Sequence, residues 1–280
     1  MSTVRADLVD AVSSAIRSAA EHAILPRFRA LSSAAIIEKS PGDWVTDADR
    51  ETEALLTSAL TTLEPGVPII GEEAMAADAT PMEDAHTHER MWVIDPVDGT
   101  NSFIDGSPDF ATMVALVESN EVTASWIWQP VHGRMFTAAR GNGSYENGIP
   151  IVSPVPRLDP ASWFGVLRTR MMPADLRDAV IAGFDAAKLK HTPVSAAGVV
   201  YPMTVTGQLT HALYWRTLPW DHAPGSLLAQ EAGLVVARLD GSPYRPWDGR
   251  LGLLTAASQQ IWDTVRAALP DDLPDEATGV

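Results

Sequence analysis

A nine-residue run, Trp-Val-Ile-Asp-Pro-Val-Asp-Gly-Thr at residues 92–100, constrains the fold of this chain more than any other segment. Its apolar start predicts a buried strand, and Pro96, which has no N–H to donate, predicts that the strand ends there. Asp95 and Asp98 then lie at the exposed carboxyl end of the strand. Gly99 lets the backbone come close to a ligand, and the free N–H groups of a short helix begun after it attract phosphate. Carboxylates beside an anion need cations between them, so the run predicts a divalent-metal site that presents phosphate.

Two more acidic segments extend this pattern. A short apolar run at residues 69–73 ends in the pair Glu72 and Glu73. Residues 219–225, Pro-Trp-Asp-His-Ala-Pro-Gly, place Asp221 where a helix should begin. Asp is a common N-cap residue, so Asp221 is either a cap or a metal ligand.

The three segments, in this order, resemble the signatures of the inositol monophosphatase family: Gly-Glu-Glu, Asp-Pro-Ile/Val-Asp-Gly-Thr and Trp-Asp-x-Ala-x-Gly. The resemblance also takes in residues 43–49 and 110–150, and it extends over residues 39–233. It implies a metal-dependent, lithium-sensitive-type phosphatase with an α+β fold in α-β-α-β-α layers. The matching Trp220 and Gly225 favour Asp221 as a metal ligand.

The same resemblance implies a set of metal ligands, which is Glu72, Asp95, the Val97 carbonyl, Asp98 and Asp221. Two ions would share Asp95 as a bridge, and Glu73 would hold outer waters or help to bind a third, weaker ion. The chain has no cysteine, and oxygen ligands favour Mg²⁺, with Mn²⁺ as a possible substitute. We therefore expect two or three Mg²⁺ ions.

The resemblance also implies the residues that act on the phosphate. Asp49 and Thr100 would orient and deprotonate the attacking water, while the Gly99 and Thr100 amides would hold the phosphate. Lys39 and Asp43 correspond to a mobile loop near the metals in the family.

The expected substrate contacts depart from the family pattern. Ser102 takes the place of the usual Asn, and the segment that usually reads Gly-Ser/Thr-Ala-Ala contains Ser195 and Ala197. Inositol phosphatases carry a Glu that bonds sugar hydroxyls seven residues before the Trp-Asp aspartate, and here that position is Tyr214. A phenol donates one hydrogen bond and offers an aromatic face. Ser195, Ala197 and Tyr214 are predicted to contact the substrate. With Tyr214 in place of the Glu, a ring-bearing or less hydroxylated alcohol should be tolerated better than in a dedicated inositol phosphatase.

Composition limits the partners. The net charge of −16 over 280 residues argues against a nucleic-acid polymer, whose phosphates need Lys and Arg patches. Small phosphate esters stay compatible with it, because bound metals reverse the local field. No apolar run reaches the roughly 18 residues of a membrane span, and charged residues interrupt the N-terminal segment, so neither a membrane anchor nor a signal peptide is predicted. We expect a cytoplasmic protein, and a homodimer is compatible with the sequence.

Hydrophobic periodicity and turn residues predict the elements around the motifs. Helices are expected at residues 4–25, 47–63, 175–187, 197–206, 221–232 and 258–269, and strands at 67–71, 91–95, 110–118, 122–129, 133–140, 143–147, 162–167, 210–215, 234–238 and 251–256. Residues 39–42 are predicted as a loop and residues 74–90 as a surface insertion. Residues 1–150 would form an N-terminal half with most metal ligands, and residues 151–280 a C-terminal half with Asp221 and the substrate contacts, packed as one unit.

These features predict a Mg²⁺-dependent phosphoric monoester hydrolase of the inositol monophosphatase type, which releases inorganic phosphate from a small phosphorylated metabolite. A 3'(2'),5'-bisphosphate nucleotidase, a fructose-1,6-bisphosphatase and a histidinol phosphatase are alternatives, because one fold supports many substrates. A catalytically silent regulator that binds metal or phosphate is the alternative from a different functional class.

Overall fold

The computed structural model describes residues 4–32, 35–40, 42–77, 85–157, 159–192, 194, 196–271 and 273–274. The predicted substrate residue Ser195 lies outside these described residues, as does the side chain of Asp43.

In the described residues the helices are α1 (Ala6–Ala19), α2 (Asp47–Leu63), α3 (Glu72–Ala77), α4 (Thr100–Ile104), α5 (Ala174–Ala186), α6 (Ala197–Val205), α7 (Pro219–Glu231) and α8 (Gln259–Ala267). The strands are β1 (Ile36–Ser40), β2 (Asp43–Thr46), β3 (Ile69–Gly71), β4 (Arg90–Asp98), β5 (Ala111–Glu118), β6 (Glu121–Gln129), β7 (Arg134–Ala139), β8 (Ser144–Glu146), β9 (Ile149–Pro150), β10 (Phe164–Arg168), β11 (Lys190–Thr192), β12 (His211–Tyr214), β13 (Val235–Arg238) and β14 (Leu253–Ala256).

The strands of the described chain form two large sheets and one hairpin. The first sheet has the order β3-β4-β5-β6-β7-β8-β9, in which only the β3–β4 pair is parallel. The second has the order β11-β10-β12-β14-β13, and β10 is parallel to both of its neighbours. Strands β1 and β2 pair with each other as an antiparallel hairpin.

Side-chain alternation on β4 shows how the layers arise. Trp92 and Ile94 pack in the cluster that contains the apolar faces of α1 and α2, whereas Met91 and Val93 pack toward α6 and α7. A strand buried on both faces reads as a continuous apolar run, which is why the sequence around residue 92 lacks polar positions. The first sheet is therefore covered by helices on both sides.

Helices α6 and α7 form the middle layer between the two sheets, and their residues are buried almost all round. The opposite face of the second sheet packs against α5 and α8, through side chains such as Phe184 and Trp262. The order of layers is α1/α2, first sheet, α6/α7, second sheet, α5/α8. The predicted α+β fold in α-β-α-β-α layers is confirmed.

Three local predictions are corrected. Pro96 does not end its strand: β4 continues to Asp98, because a shift in register between Asp95 and Asp98 makes a bulge that accommodates a residue without an N–H. Lys39 belongs to β1 and not to a loop, because its strand pairs with β2. The predicted surface insertion is helical at its start, since α3 extends to Ala77.

The N-terminal helix ends near Pro26 as predicted, but its last turn, Ala20–Ile24, is a π-helix. The division into halves at residue 150 stays a prediction. No described helix is both long enough and apolar enough to cross a bilayer.

Candidate active site

The bulge at the end of β4 presents two carboxylates to one cavity. Asp95 is 1% exposed, and its Oδ1 atom has no hydrogen-bond partner among the described residues. Gly99 follows with φ 89°, and a Cβ atom there would lie 2.9 Å from the Cβ of Ala196, so both the left-handed backbone and the space require glycine. Helix α4 then begins at Thr100, as the sequence predicts.

The first turn of α2 holds Asp49 in one orientation. Its Oδ2 atom accepts hydrogen bonds from the Thr46 amide at 2.8 Å and from the Thr46 hydroxyl at 2.5 Å, which is the reciprocal arrangement of a capping box. Its Oδ1 atom faces the Thr100 hydroxyl at 3.2 Å, and the same hydroxyl lies 3.0 Å from the Val97 carbonyl. Burial raises the pKa of Asp49 to about 6.

The Gly-Glu-Glu motif is fixed by Glu53, a residue that the sequence motifs did not indicate. The Glu53 carboxylate accepts the amides of Glu73 and Ala74, each at 2.8 Å, and so caps the start of α3. A Cβ atom on Gly71 would lie 2.4 Å from the carboxylate carbon of Glu53, which explains the glycine of the motif. Glu53 follows Asp49 by four residues on α2, so one helix face carries both acids, and that spacing was the available signal.

Lys39 reaches both glutamates of this motif. Its Nζ atom lies 3.0 Å from Glu72 Oε1 and 2.9 Å from Glu73 Oε1. Burial alone would lower the pKa of Lys39, but the charges of the two carboxylates and their hydrogen bonds outweigh it and raise that pKa. Burial raises the pKa of Glu73 to about 7.

Asp98 and Asp221 line the same cavity from two elements, the end of β4 and the first turn of α7. Asp98 Oδ2 accepts the Gly198 amide at 2.5 Å at the start of α6, where the Ala197 amide also bonds to this carboxylate. Asp221 lies in the first turn of α7, whose N-cap is Leu218, so the alternative that Asp221 is the N-cap is wrong. The helix begins earlier because Pro219 is suited to its first position.

Burial and mutual repulsion act on these acids together. Burial raises the pKa of Asp98 to about 7, against the opposing effect of the α6 amides. The pKa of Asp95 is raised well above its usual range by burial and then by the charges of Glu72, Asp98 and Asp221. Burial and the charge of Asp98 likewise raise the pKa of Asp221. Such a group of acids is poised to bind a cation.

A cavity of about 560 Å³ brings most of the predicted site together. The predicted residues on its wall are Lys39, Glu72, Asp95, Val97, Asp98, Gly99, Thr100, Ala197, Tyr214 and Asp221. Asp49 and Glu73 lie outside this wall and reach it through Thr100 and Lys39. In the described part of the chain, no three His, Asp or Glu side chains are already drawn together in the way that would hold an ion.

The cavity is also lined by residues that the motifs did not indicate, above all Arg168, Arg170, Trp215 and Arg216. Arg168 ends β10, and Arg216 follows β12 by two residues. These strands are adjacent and parallel, so their carboxyl ends meet at the same edge of the sheet. In the sequence, an arginine directly follows each of the predicted strands at residues 162–167 and 210–215, and this pattern could have indicated both residues.

Tyr214 also lines this cavity. Its ring stacks on Tyr201 with centroids 5.6 Å apart and meets His222 edge-on at 4.5 Å. The Tyr214 hydroxyl is buried and has no hydrogen-bond partner among the described residues. Its position on the cavity wall is compatible with the predicted contact to substrate.

Comparison with known proteins identifies the family. The sequence profile of the inositol monophosphatase family matches residues 5–273. This chain belongs to the inositol monophosphatase family. It is a phosphatase, a phosphoric monoester hydrolase, as predicted, and the inositol monophosphatase family is metal-dependent.

Relatives of this inositol monophosphatase family member carry two different names. The inositol-1-monophosphatase of Mycobacterium leprae is 35% identical over 242 residues, which cover 83% of this chain and 80% of that protein. The Nus factor SuhB of Pseudomonas aeruginosa is 31% identical over 232 residues, which cover 81% of this chain and 84% of that protein. A solved structure of an IMPase/NADP phosphatase complexed with NADP and Ca²⁺ has a TM-score of 0.80 at 21% identity, over 97% of this chain and 98% of that one.

Proposed function

We propose that this protein hydrolyses a small phosphate monoester in the presence of Mg²⁺ and releases inorganic phosphate. The observation that carries the proposal is the buried Asp95, whose Oδ1 atom lacks a partner among the described residues beside the Thr100–Asp49 pair. An unpartnered buried carboxylate oxygen is costly unless a cation binds it.

The residues around Asp95 fit a hard divalent cation. Their donor atoms are carboxylate and carbonyl oxygens, which suit Mg²⁺ and, next to it, Mn²⁺. The proposed ligands are Glu72, Asp95, the Val97 carbonyl, Asp98 and Asp221. Lys39 contacts Glu72 and Glu73 through one oxygen of each, Oε1, so the other oxygen of Glu72 is left to act as a ligand. When bound, two or three divalent ions would neutralise phosphate charge and stabilise the entering and leaving oxygens.

The chain's own residues position and activate the attacking water. Thr46 fixes Asp49, and Asp49 can accept the hydroxyl proton of Thr100, so the Thr100 oxygen is free to accept a proton from water. The water oxygen then bonds to phosphorus, the ester P–O bond breaks, and the leaving alkoxide takes up a proton from solvent. A carboxylate whose pKa is raised to about 6 by burial suits a general base near neutral pH. Glu73 would hold outer water molecules of the bound ions.

The phosphate and the alcohol would occupy different parts of the cavity. Gly99 and Thr100 line the cavity next to Asp98, and their amides would hold the phosphate. Tyr214 and Ala197 would form the wall beside the alcohol. Inositol phosphate, a nucleotide phosphate, a fructose phosphate and histidinol phosphate are all small enough substrates for this space.

A regulator without catalysis is the second candidate, because one relative is named a Nus factor. A role of that kind does not require the Thr100–Asp49 hydrogen bond. A cytoplasmic location, a homodimer and the lack of a nucleic-acid partner stay predictions from the sequence.

Release of inorganic phosphate from a panel of inositol, nucleotide, sugar and histidinol esters, with Mg²⁺ and with EDTA, separates the two candidates. We expect Mg²⁺-dependent release that Thr100→Ala lowers by about 10²-fold and that Thr62→Ala, an exposed substitution on α2, leaves unchanged. No release from any ester in Mg²⁺ or Mn²⁺ would favour the regulator.

A further inference from the structure

Side chains of both charges line the cavity. The acids that are the proposed metal ligands lie on its wall together with Arg168, Arg170 and Arg216. In a chain with 20 Lys and Arg against 36 Asp and Glu, three arginines in one cavity are a local enrichment of positive charge. A guanidinium presents a planar fork of donors that matches phosphate oxygens in a bidentate way.

In the described part of the chain, two of these arginines are not held by a carboxylate. Within the residues that the structure describes, neither Arg168 nor Arg216 forms an ion pair within 4.0 Å. Other arginines of the chain do, such as Arg238, which lies 2.5 Å from Asp248. Arg170 differs from its neighbours, because it donates to the Gly42 carbonyl at 3.3 Å and so contacts the β1–β2 turn.

The backbone fixes the two arginines relative to Tyr214. Arg168 pairs in register with Tyr214 across the parallel β10 and β12 strands, and the Trp215 amide donates to the Arg168 carbonyl at 3.2 Å. Arg216 follows Trp215 directly. Arg168 and Arg216 thus lie on the same part of the cavity wall as Tyr214.

We propose that the preferred substrate carries a second phosphate group on its alcohol and that Arg168 and Arg216 bind it. The inference rests on the proposed function and names the substrate class of the same site. The scissile phosphate would lie at the acids that are the proposed metal ligands, and the second phosphate would lie at Arg168 and Arg216. A cavity of about 560 Å³ accommodates a sugar or nucleoside between the two groups.

A purely electrostatic role for the arginines makes a different prediction. Their charges act on the acids, since Arg168 and Arg216 both favour the ionised form of Asp221. If that were their only role, their removal would change metal affinity and would affect every substrate alike. Binding of a second phosphate affects only substrates that carry one.

The test compares matched esters that differ by one phosphate: adenosine 3'-phosphate with adenosine 3',5'-bisphosphate, fructose 1-phosphate with fructose 1,6-bisphosphate, and inositol 1-phosphate with inositol 1,4-bisphosphate. We expect kcat/KM to be higher for the bisphosphate in at least one pair by about tenfold or more, the scale of a charge-assisted hydrogen bond. Arg168→Gln and Arg216→Gln should each remove most of that preference, because they should lower kcat/KM for the bisphosphate much more than for the monophosphate. Arg177→Gln, on an exposed arginine of α5, is the matched control.

Equilibrium binding gives a second measurement that does not need turnover. Titration of the protein with each bisphosphate and its monophosphate in Mg²⁺ should show the same preference, and the preference should fall as salt is raised from 0.05 to about 0.5 M, because salt screens exposed charges. Equal affinities and equal kcat/KM within every pair would overturn the inference, and so would equal losses on both members of a pair in the arginine variants. Failure of the proposed function would appear separately, as the absence of phosphate release from all esters while the binding preference persists.

Discussion

Thr100 Oγ1 lies 3.2 Å from Asp49 Oδ1, and the other oxygen of that carboxylate accepts two hydrogen bonds from Thr46. The pair joins the start of α4 to the start of α2 across 51 residues of sequence. Thr46 donates both its amide and its hydroxyl to Asp49 Oδ2, so Asp49 Oδ1, which faces Thr100, is the oxygen left to accept a proton. The capping box of a helix therefore also orients the base of the proposed mechanism.

Thr100→Ala should lower kcat by about 10²-fold, the usual scale for a positioned acid or base group, with little change in thermal stability. Asp49→Asn should lower kcat similarly, and the double variant should lose no more than either single one, because both residues act on one water. Thr100→Ser keeps the hydroxyl and should keep most of the activity. Losses that multiply in the double variant would contradict a shared role.

Mg²⁺ should raise the melting temperature, because it binds the folded protein and not the unfolded chain. At a concentration 100 times its dissociation constant the gain is about 2.7 kcal/mol, which corresponds to several degrees in a chain of this size. Asp221→Asn should raise the melting temperature in EDTA, since it removes one buried charge from a repelling group, and should shrink the response to Mg²⁺. A melting temperature that ignores both EDTA and Mg²⁺ would argue against the metal site.

Without metal, the protein should become more stable as the pH falls from about 8 to about 6. Burial raises the pKa of Asp49 to about 6 and those of Glu73 and Asp98 to about 7 in the folded state, above their unfolded values. The folded state therefore binds more protons in this window, and its free energy of unfolding rises as the pH is lowered. Urea denaturation in EDTA at pH 8, 7 and 6 measures the slope, and saturating Mg²⁺ should flatten it. A steady loss of stability from pH 8 to 6 in EDTA would contradict the raised pKa values.

Gly71→Ala should destabilise the protein by about 1–3 kcal/mol, the range for an overpacked interior. The new Cβ atom would lie 2.4 Å from the Glu53 carboxylate carbon and would displace it from the amides of α3. Chemical denaturation of the single variants and of Gly71→Ala with Glu53→Ala should show losses well below additive, because both changes disrupt the same cap. Additive losses in the free energy of unfolding would mean that Gly71 is required for a reason other than space for the Glu53 carboxylate.

Tyr214→Phe should leave stability nearly unchanged, because the hydroxyl that it removes has no partner among the described residues. If that hydroxyl donates to the substrate alcohol, KM should rise for the preferred ester while kcat changes less. Tyr214→Glu restores the carboxylate of inositol phosphatases and should raise kcat/KM for inositol 1-phosphate relative to a nucleotide 3'-phosphate. If neither variant changes the ratio of kcat/KM for the two esters, the substrate does not contact Tyr214.

Sequence reasoning predicted the parts of the site that are local in the chain. The run at residues 92–100 contains a strand, a glycine with a left-handed backbone and the start of a helix within nine positions. Because these elements are adjacent in sequence, the local residue pattern was enough to predict them. Pro96 was misjudged because a bulge, which depends on the partner strand, accommodates it. The family resemblance supplied the layer order.

The remaining site residues depend on contacts that no local pattern contains. Glu53 supports the Gly-Glu-Glu motif from α2, 20 residues away in sequence. Arg168 and Arg216 meet because β10 and β12 pair in parallel, and that pairing is a property of the whole second sheet. The cap that Asp98 provides to α6 spans 100 residues.

That cap has a consequence for synthesis on the ribosome. A nascent chain that has emerged as far as β9 already contains Glu72, Asp95 and Asp98, but Gly198 and Asp221 have not yet been made. The strands of its first sheet can pair. The Asp98 carboxylate, however, has no Gly198 amide from which to accept a hydrogen bond, and the apolar face of the sheet is not yet covered by the helices of the middle layer. Domains fold as units and exposed apolar surface promotes aggregation. The interval between translation of residue 150 and residue 231 is therefore the period in which this protein most needs protection by chaperones.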